Sequence, residues 1–300
     1  MKKKFLLISV ILGLALMVNL VTSLNVNAST DSINEKFGQP IVVYGETLNE
    51  DQKQQVRELL NIDDPSQVQE LIVTAEDLVN YINGDPSANM YSSAKITRKE
   101  DGNGLNVTIV NPENITEVTK EMYANALLTA GIENAEVEVA SPLKVSGHSA
   151  LTGIYKAYNV DGESLDQDRM EVANEELGVA TDLAEQEGLD QAKVSELLTA
   201  IKQAIAEQNP ATKEDVERII QEQLDRLNIE LNQDDLNRLI ELFEKMRSIN
   251  IDFDQVTNQL NDLANTIKDR IQEVAGDKGF WESVGNFFRN IFQAIANLFN

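Results

Sequence analysis

Apolar positions along this chain follow two different periods, and the change from one to the other divides it. Ile41-Val42-Val43-Tyr44-Gly45 is a continuous β-favouring run closed by glycine and reads as a buried strand. Asn49 then stands as an N-cap with Gln52 at the third helical position, and Val56, Leu59 and Leu60 fall on one face of the helix that follows. Val68 to Val73 reads as a second strand. Thr74, with Asp77 three residues on, caps a helix carrying Leu78, Val79 and Ile82, which Asn83-Gly84-Asp85-Pro86 stops. Residues 92–99 and 105–110 alternate with period two around Asp101-Gly102-Asn103-Gly104, which predicts a hairpin whose glycines take positive φ. Ile115, Val118, Met122, Ala126 and Leu127 form the stripe of a helix ending near Gly131, and Val137 to Ala140 is a further strand. Strands and helices mixed in this order predict an α+β domain over residues 31–158, one sheet with helices packed on it.

From Leu165 onward the period is helical throughout. Leu165 to Leu183, Asp190 to Ala206 and Thr212 to Leu227 are successive helices; Thr212 with Asp215 and Asn232 with Asp235 repeat the capping pattern before Val216 and Leu236. Phe253, Val256, Leu260, Leu263, Ile267, Ile271 and Val274 recur at spacings of three and four. Such a stripe serves either a bundle within the chain or a coiled coil between chains. The segments just named supply partner helices for a bundle, and homo-oligomerisation through residues 252–275 stays open. The fold class predicted is thus α+β: an N-terminal mixed sheet with packed helices, followed by an all-helical domain over residues 165–300.

The last stretch, residues 279–300, holds the only tryptophan and five of the nine phenylalanines. Phe280, Val284, Phe287, Phe288, Ile291, Ile295 and Leu298 lie on one face, with Asn286, Arg289, Asn290, Gln293 and Asn297 on the other, and Phe280, Trp281, Phe287, Phe288, Ile291 and Ile295 are the candidate contact residues. This is an amphipathic helix, too interrupted to span a bilayer, which either docks on the bundle or meets a membrane, a cell-wall surface or a protein partner. At the other end Lys2, Lys3 and Lys4 precede an apolar run from Phe5 to Val18 and the small-residue site Val26-Asn27-Ala28. The apolar run is 14 residues long, short of the roughly 20 of a spanning helix, so residues 1–28 read as a secretory signal.

Composition narrows the function. The chain has no cysteine, so an exported protein of this sequence folds by core burial alone, and no lipidated cysteine follows the signal. It carries 25 Lys and Arg against 50 Asp and Glu; the signal holds three of the basic residues, and its removal takes the net charge from −25 to −28. Nucleic acid is excluded as a partner, because binding a phosphate backbone requires its neutralisation by basic side chains. One histidine and no cysteine leave no zinc site within one chain. Residues 159–163 resemble part of a calcium loop, but with Gly162 as its glycine the first ligand position is Ala157, which cannot coordinate. No metal and no cofactor are predicted.

The remaining candidate chemistry lies in residues 141–158. Ser146, Gly147, His148 and Ser149 form a small-residue turn before a helix carrying Leu151, Ile154, Tyr155 and Tyr158. Backbone N–H groups at such a turn suit an anion or small ligand, and Ser146 or Ser149 is placed to cap the helix. His148 beside two serines also raises a hydrolase, although triad partners come from separate segments and no Gly-x-Ser-x-Gly elbow is present.

The segments VVYGETLNEDQKQQV and VEVASPLKVSGHSALTGIYKAY resemble the YpuA-like secreted proteins of Gram-positive bacteria, domain of unknown function number 1002. The resemblance spans residues 41–158. It implies export and brings no catalytic or ligand-binding residue with it. The sequence therefore predicts an exported acidic protein, secreted or held at the cell envelope, acting as a non-catalytic binding module; a secreted hydrolase with its site at residues 141–158 is the alternative.

Overall fold

The computed structural model describes residues 36–160, 162, 164–249 and 251–276. The predicted signal at residues 1–28 and the terminal amphipathic segment, with Phe280, Trp281, Phe287, Phe288, Ile291 and Ile295, lie outside them. Five strands, β1 (Ile41–Gly45), β2 (Gln69–Val73), β3 (Ser93–Arg98), β4 (Leu105–Ile109) and β5 (Ala135–Ala140), form one mixed sheet in the order β2-β1-β3-β5-β4. The two outer pairs, β1 with β2 and β5 with β4, are parallel, and β3 runs antiparallel to both of its neighbours. Each parallel pair needs a crossover, which α1 (Glu50–Leu59) and α3 (Lys120–Ala130) supply. The predicted α+β class is the observed one.

Alternation along the strands gives the sheet two unlike faces. Val42 and Tyr44 pack with Val56 of α1 and with Leu60, its C-cap, while Ile41 and Val43 point into the main core with Ala94, Ile96, Val137 and Val139. Beyond the reach of α1 the first face turns polar. Lys95 lies across from Glu138 in the register and pairs with it at 2.5 Å, and Lys99 pairs with Glu136 at 2.9 Å. Lys95 Nζ also donates to the Leu60 carbonyl at the end of α1. On the other face lie α2 (Ala75–Ile82), α3 and α4 (Ser149–Val160).

Next come α5 (Gln167–Gln186), α6 (Gln191–Gln208), α7 (Lys213–Leu227) and α8 (Gln233–Ser248), joined by short connections. Each packs on the next, and α8 returns to α5, closing a four-helix arrangement that rests on α3 through α5 and α6. The last helix, α9 (Thr257–Gly276), lies across α6 and α3. The predicted stripe is used there: Phe253, Val256, Leu260 and Ile267 are buried within the chain. The change from mixed to helical structure falls between α4 and α5, yet a single apolar cluster continues across it, from Val43 and Leu127 to Leu177, Leu198 and Phe243. Among the described residues no helix is long and apolar enough to cross a membrane.

Local expectations hold where local chemistry decides. Asn49 with Gln52, Thr74 with Asp77 and Thr212 with Asp215 are reciprocal capping boxes, and Asn232 accepts from the N–H groups of Asp234 and Asp235. Three expectations are corrected. The strands on either side of residues 101–104 do not pair as a hairpin, because β5 inserts between them. The loop is wrapped around the residue leading into β5: Asn134 Oδ1 accepts from the N–H groups of both Gly102 and Gly104 at 3.0 Å, and the Lys99 N–H donates to the Asn134 carbonyl. Helix α3 begins at Lys120 with Thr119 as its cap, so Ile115 and Val118 are buried ahead of it, and Ile115 bridges to Val145. Ser149 opens α4, but its hydroxyl accepts from the Ser92 N–H at 3.3 Å, an intersegment bond and not a cap.

Candidate functional site

The segment before α4 is held on three sides. The Val145 and Ser146 carbonyls accept from the N–H groups of Thr116, Glu117 and Val118. Gly147 has φ +111, and its carbonyl accepts from the Tyr123 hydroxyl at 2.6 Å. A Cβ at this position would lie 2.7 Å from both Ile115 Cγ2 and Tyr123 Oη, so only glycine meets the backbone angle and the space together. Two N–H groups at the head of α4, those of Ala150 and Leu151, donate to the Gly147 and His148 carbonyls. Gly147, His148 and Ser149 are thus brought against α3, α5 and the lead-in to β3 respectively.

His148 does meet a hydroxyl and a carboxylate, both distant in sequence. Its Nε2 lies 3.3 Å from Thr181 Oγ1 and its Nδ1 lies 4.0 Å from Glu117 Oε2. The geometry does not assemble a triad. The Thr181 hydroxyl has the Leu177 and Gly178 carbonyls of its own helix within reach, at 3.2 Å and 3.0 Å, besides the ring. A triad base also needs its Nδ1–H bonded to a carboxylate, and Glu117 lies 4.0 Å away, beyond hydrogen-bond reach. Burial holds the imidazole below its ordinary value, against the opposing pull of Glu117 and Asp182. With its side chain 33% exposed, the ring is only partly buried, and that burial favours its neutral form.

A second polar group, missed in the sequence, sits in the middle of the core. Lys202 is 0% exposed and Glu176 is 1% exposed. Lys202 Nζ lies 2.5 Å from Glu176 Oε1, in an orientation that makes an ion pair without an aligned hydrogen bond. Its aligned bonds go to the Asn125 carbonyl at 2.8 Å and Asn125 Oδ1 at 3.3 Å, and Glu176 Oε2 accepts from Thr129 at 2.6 Å. The Tyr155 hydroxyl, fully buried and without a hydrogen-bond partner, has its acidity suppressed first by burial and then by the Glu176 charge. Nothing reaches this cluster from solvent. Its signal in the sequence was a charge on an apolar stripe: Lys202 stands four residues after Leu198, and Glu176 four before Ala180.

The third group is open to ligands. A cavity of about 170 Å³ lies between α9, the amino end of α3 and β4. Leu105, Leu128 and Leu263 give it apolar lining, while Lys120, Glu121 and Gln259 supply charged and amide groups. Glu121 is 1% exposed; its Oε2 takes a hydrogen bond from Arg270 Nη1 at 2.5 Å. Glu121 Oε1 and Gln259 Oε1 are buried with no hydrogen-bond partner in the chain. Sequence reasoning passed over Glu121 because an acid in the first turn of a helix ordinarily serves the helix dipole in solvent. Here α9 covers it. Among the described residues no group of three or more carboxylate, imidazole or thiol side chains is placed to hold a metal ion.

Sheet, bundle and polar groups together define an α+β protein whose one histidine is half-buried beside Thr181 and whose small cavity is lined by Lys120, Glu121 and Gln259. The chain belongs to the family described as protein of unknown function (DUF1002), whose model matches residues 44–263. It is 36% identical over 269 residues to the uncharacterized protein YpuA of Bacillus subtilis (strain 168), a similarity covering 87% of this chain and 90% of that protein. No solved structure matches the chain.

Proposed function

We propose that this is an exported, non-catalytic binding module that works at the cell envelope. The observation that carries the binding reading is the cavity of about 170 Å³ whose lining combines Leu105, Leu128 and Leu263 with Lys120, Glu121 and Gln259. A lining of mixed apolar and polar groups suits recognition, whereas a triad base needs its carboxylate within hydrogen-bond reach, and Glu117 lies 4.0 Å from His148 Nδ1. Export is supported by the basic, apolar and small-residue sequence of residues 1–28. Retention at the envelope is supported by the aromatic face of residues 279–300, with Phe280, Trp281, Phe287 and Phe288 as anchors.

Fractionation of cells making the full chain, or a chain ending at Lys278, tests this reading. The full chain is expected in the envelope fraction and the shortened chain in the medium, with the same far-UV circular dichroism over the shared residues. Equal release of both into the medium removes the anchor. Accumulation of the full chain, with residues 1–28 uncut, in the cytoplasm removes the export reading altogether.

A further inference from the structure

Lys202, Glu176 and Asn125 are the parts of an amide-forming reaction, gathered in the core by α6, α5 and α3. All three residues are at most 1% exposed. Lys202 Nζ lies 3.3 Å from Asn125 Oδ1, so the carboxamide carbon, one C=O bond of ~1.2 Å further on, is within about 4.5 Å of it. The bond from Nζ to the Asn125 backbone carbonyl, at 2.8 Å, holds the amine beside that side chain. Glu176 Oε1, 2.5 Å from Nζ, is placed to take a proton from it. The Thr199 hydroxyl reaches both ends of the carboxamide, 3.2 Å from Oδ1 and 3.0 Å from Nδ2. On the other side the Phe253 ring centre lies 5.9 Å from Nζ and helps keep water out. Burial holds the Lys202 ammonium below its ordinary value, against the pull of Glu176, and so favours the neutral amine, which is the nucleophile. Of the two acyl groups within its reach, the Glu176 carboxylate repels a nucleophile, whereas the Asn125 carboxamide is neutral and has ammonia to lose.

We infer that Lys202 and Asn125 are a modification site, joined by an isopeptide bond between Nζ and Cγ, with Glu176 as the proton acceptor. Lys202 gives one proton to Glu176 and attacks Cγ as a neutral amine. The Nζ–Cγ bond forms, the Cγ–Nδ2 bond breaks, and a second proton passes from Nζ to the departing nitrogen, which leaves as ammonia. One proton stays on Nζ as the amide N–H and one stays on Glu176, now a neutral acid. Nothing is oxidised or reduced. Two buried charges disappear, which relieves the desolvation that a buried ion pair carries. Holding amine and carboxamide side by side replaces the encounter that makes the same reaction slow in water. The ion pair described above is the state that precedes the bond. Once formed, the bond spans 77 positions, ties the bundle to the sheet through α3, and gives a chain without cysteine a cross-link that reductants leave intact. A variant at Lys202 or Glu176 therefore loses the bond as well as the ion pair, and a double variant loses it only once. The bond stands independently of export and of the cavity.

Mass spectrometry of the purified full chain under denaturing conditions tests it, before and after trypsin. With its amino terminus determined, the parent chain is expected to weigh one ammonia less than its sequence requires. Trypsin is expected to leave residues 121–144 joined to residues 194–213, with no cleavage after Lys202. Asn125→Asp keeps the shape of the side chain and is expected to form the same link with loss of one water in place of ammonia. Glu176→Gln, which removes the proton acceptor, is expected to keep the unreacted mass. Its melting transition is followed alongside, because it also breaks the ion pair; the parent mass decides the matter without any variant having to fold. An unreacted mass in the parent chain would overturn the assignment. So would an ammonia loss confined to residues 121–144, which is a succinimide at Asn125, or a loss of water in the parent chain, which is an amide to Glu176. A cross-link that forms in Glu176→Gln would overturn the role given to that carboxylate.

Discussion

Replacing Lys202 by methionine is the most direct probe of how this core is built. Methionine keeps the length of the side chain and removes the ammonium, which lies 2.5 Å from Glu176 Oε1 and donates to the Asn125 carbonyl at 2.8 Å. Glu176, 1% exposed, is then left with the Thr129 hydroxyl as its one remaining donor. Stranding a buried charge in this way costs about 3–5 kcal/mol. For a chain of this size, a loss of that order lowers the melting temperature by roughly 6–20 °C. Glu176→Leu alone strands the ammonium and is expected to cost about as much. The double variant Lys202→Met/Glu176→Leu strands neither charge. Its residual cost is that of the unpaired Asn125 and Thr129 groups, about 1–3 kcal/mol, so the cycle should give a coupling of at least about 3 kcal/mol. Urea unfolding followed by far-UV circular dichroism measures all four proteins, with an unchanged slope m as the check that the transition is the same one. A Lys202→Met cost below about 1 kcal/mol, or a double variant as unstable as the sum of the singles, would refute the reasoning.

Other outcomes are expected from the same structure. Gly147→Ala forces a Cβ to 2.7 Å from Ile115 and Tyr123 at φ +111, and a loss of about 2–4 kcal/mol should appear in urea unfolding. Asn134→Ala removes the acceptor shared by Gly102 and Gly104, costing about 1–2 kcal/mol and speeding hydrogen exchange at those two amides. His148 titrates below its ordinary value of 6.5 because burial disfavours the imidazolium, so its native form is the neutral one. The associated stability is fully present above pH 6.5 and is lost as pH falls from there through the depressed native value. His148→Gln should therefore flatten the dependence of melting temperature on pH just below 6.5, and a slope as steep as that of the parent would count against a neutral native ring.

Much of the fold was legible because its signals are local. Asn49, Thr74, Thr212 and Asn232 start helices in the sequence for the reason they do so in the structure: a side-chain oxygen three residues before an otherwise unsatisfied N–H meets it at once. Gly131 ends α3 at φ +92, as its position after the apolar stripe implied. The sheet order was not legible. Period two in residues 92–99 and 105–110 with glycines between them describes a hairpin and equally two strands held one strand apart, and the choice is made by Asn134 reaching into the loop. The candidate site divides the same way. Gly147 and His148 stood out by type, and the structure sets them against Tyr123 and Thr181, whereas Glu121 looked like a surface residue and is 1% exposed, with α9 packed on α3.

By itself the sequence determined which segments are helices and strands, where the capped helices begin, the acidic charge and the chemistries that need cysteine or several histidines. Those properties depend on neighbours within a turn or on composition. Tertiary structure alone decided that β5 separates β3 from β4, that Lys202 and Glu176 meet in the core, and that Glu121 and Gln259 line one cavity. Each of these joins residues at least twenty-six positions apart. No local period encodes which distant partner a strand edge or a buried charge will find; only the closing of the whole core selects it.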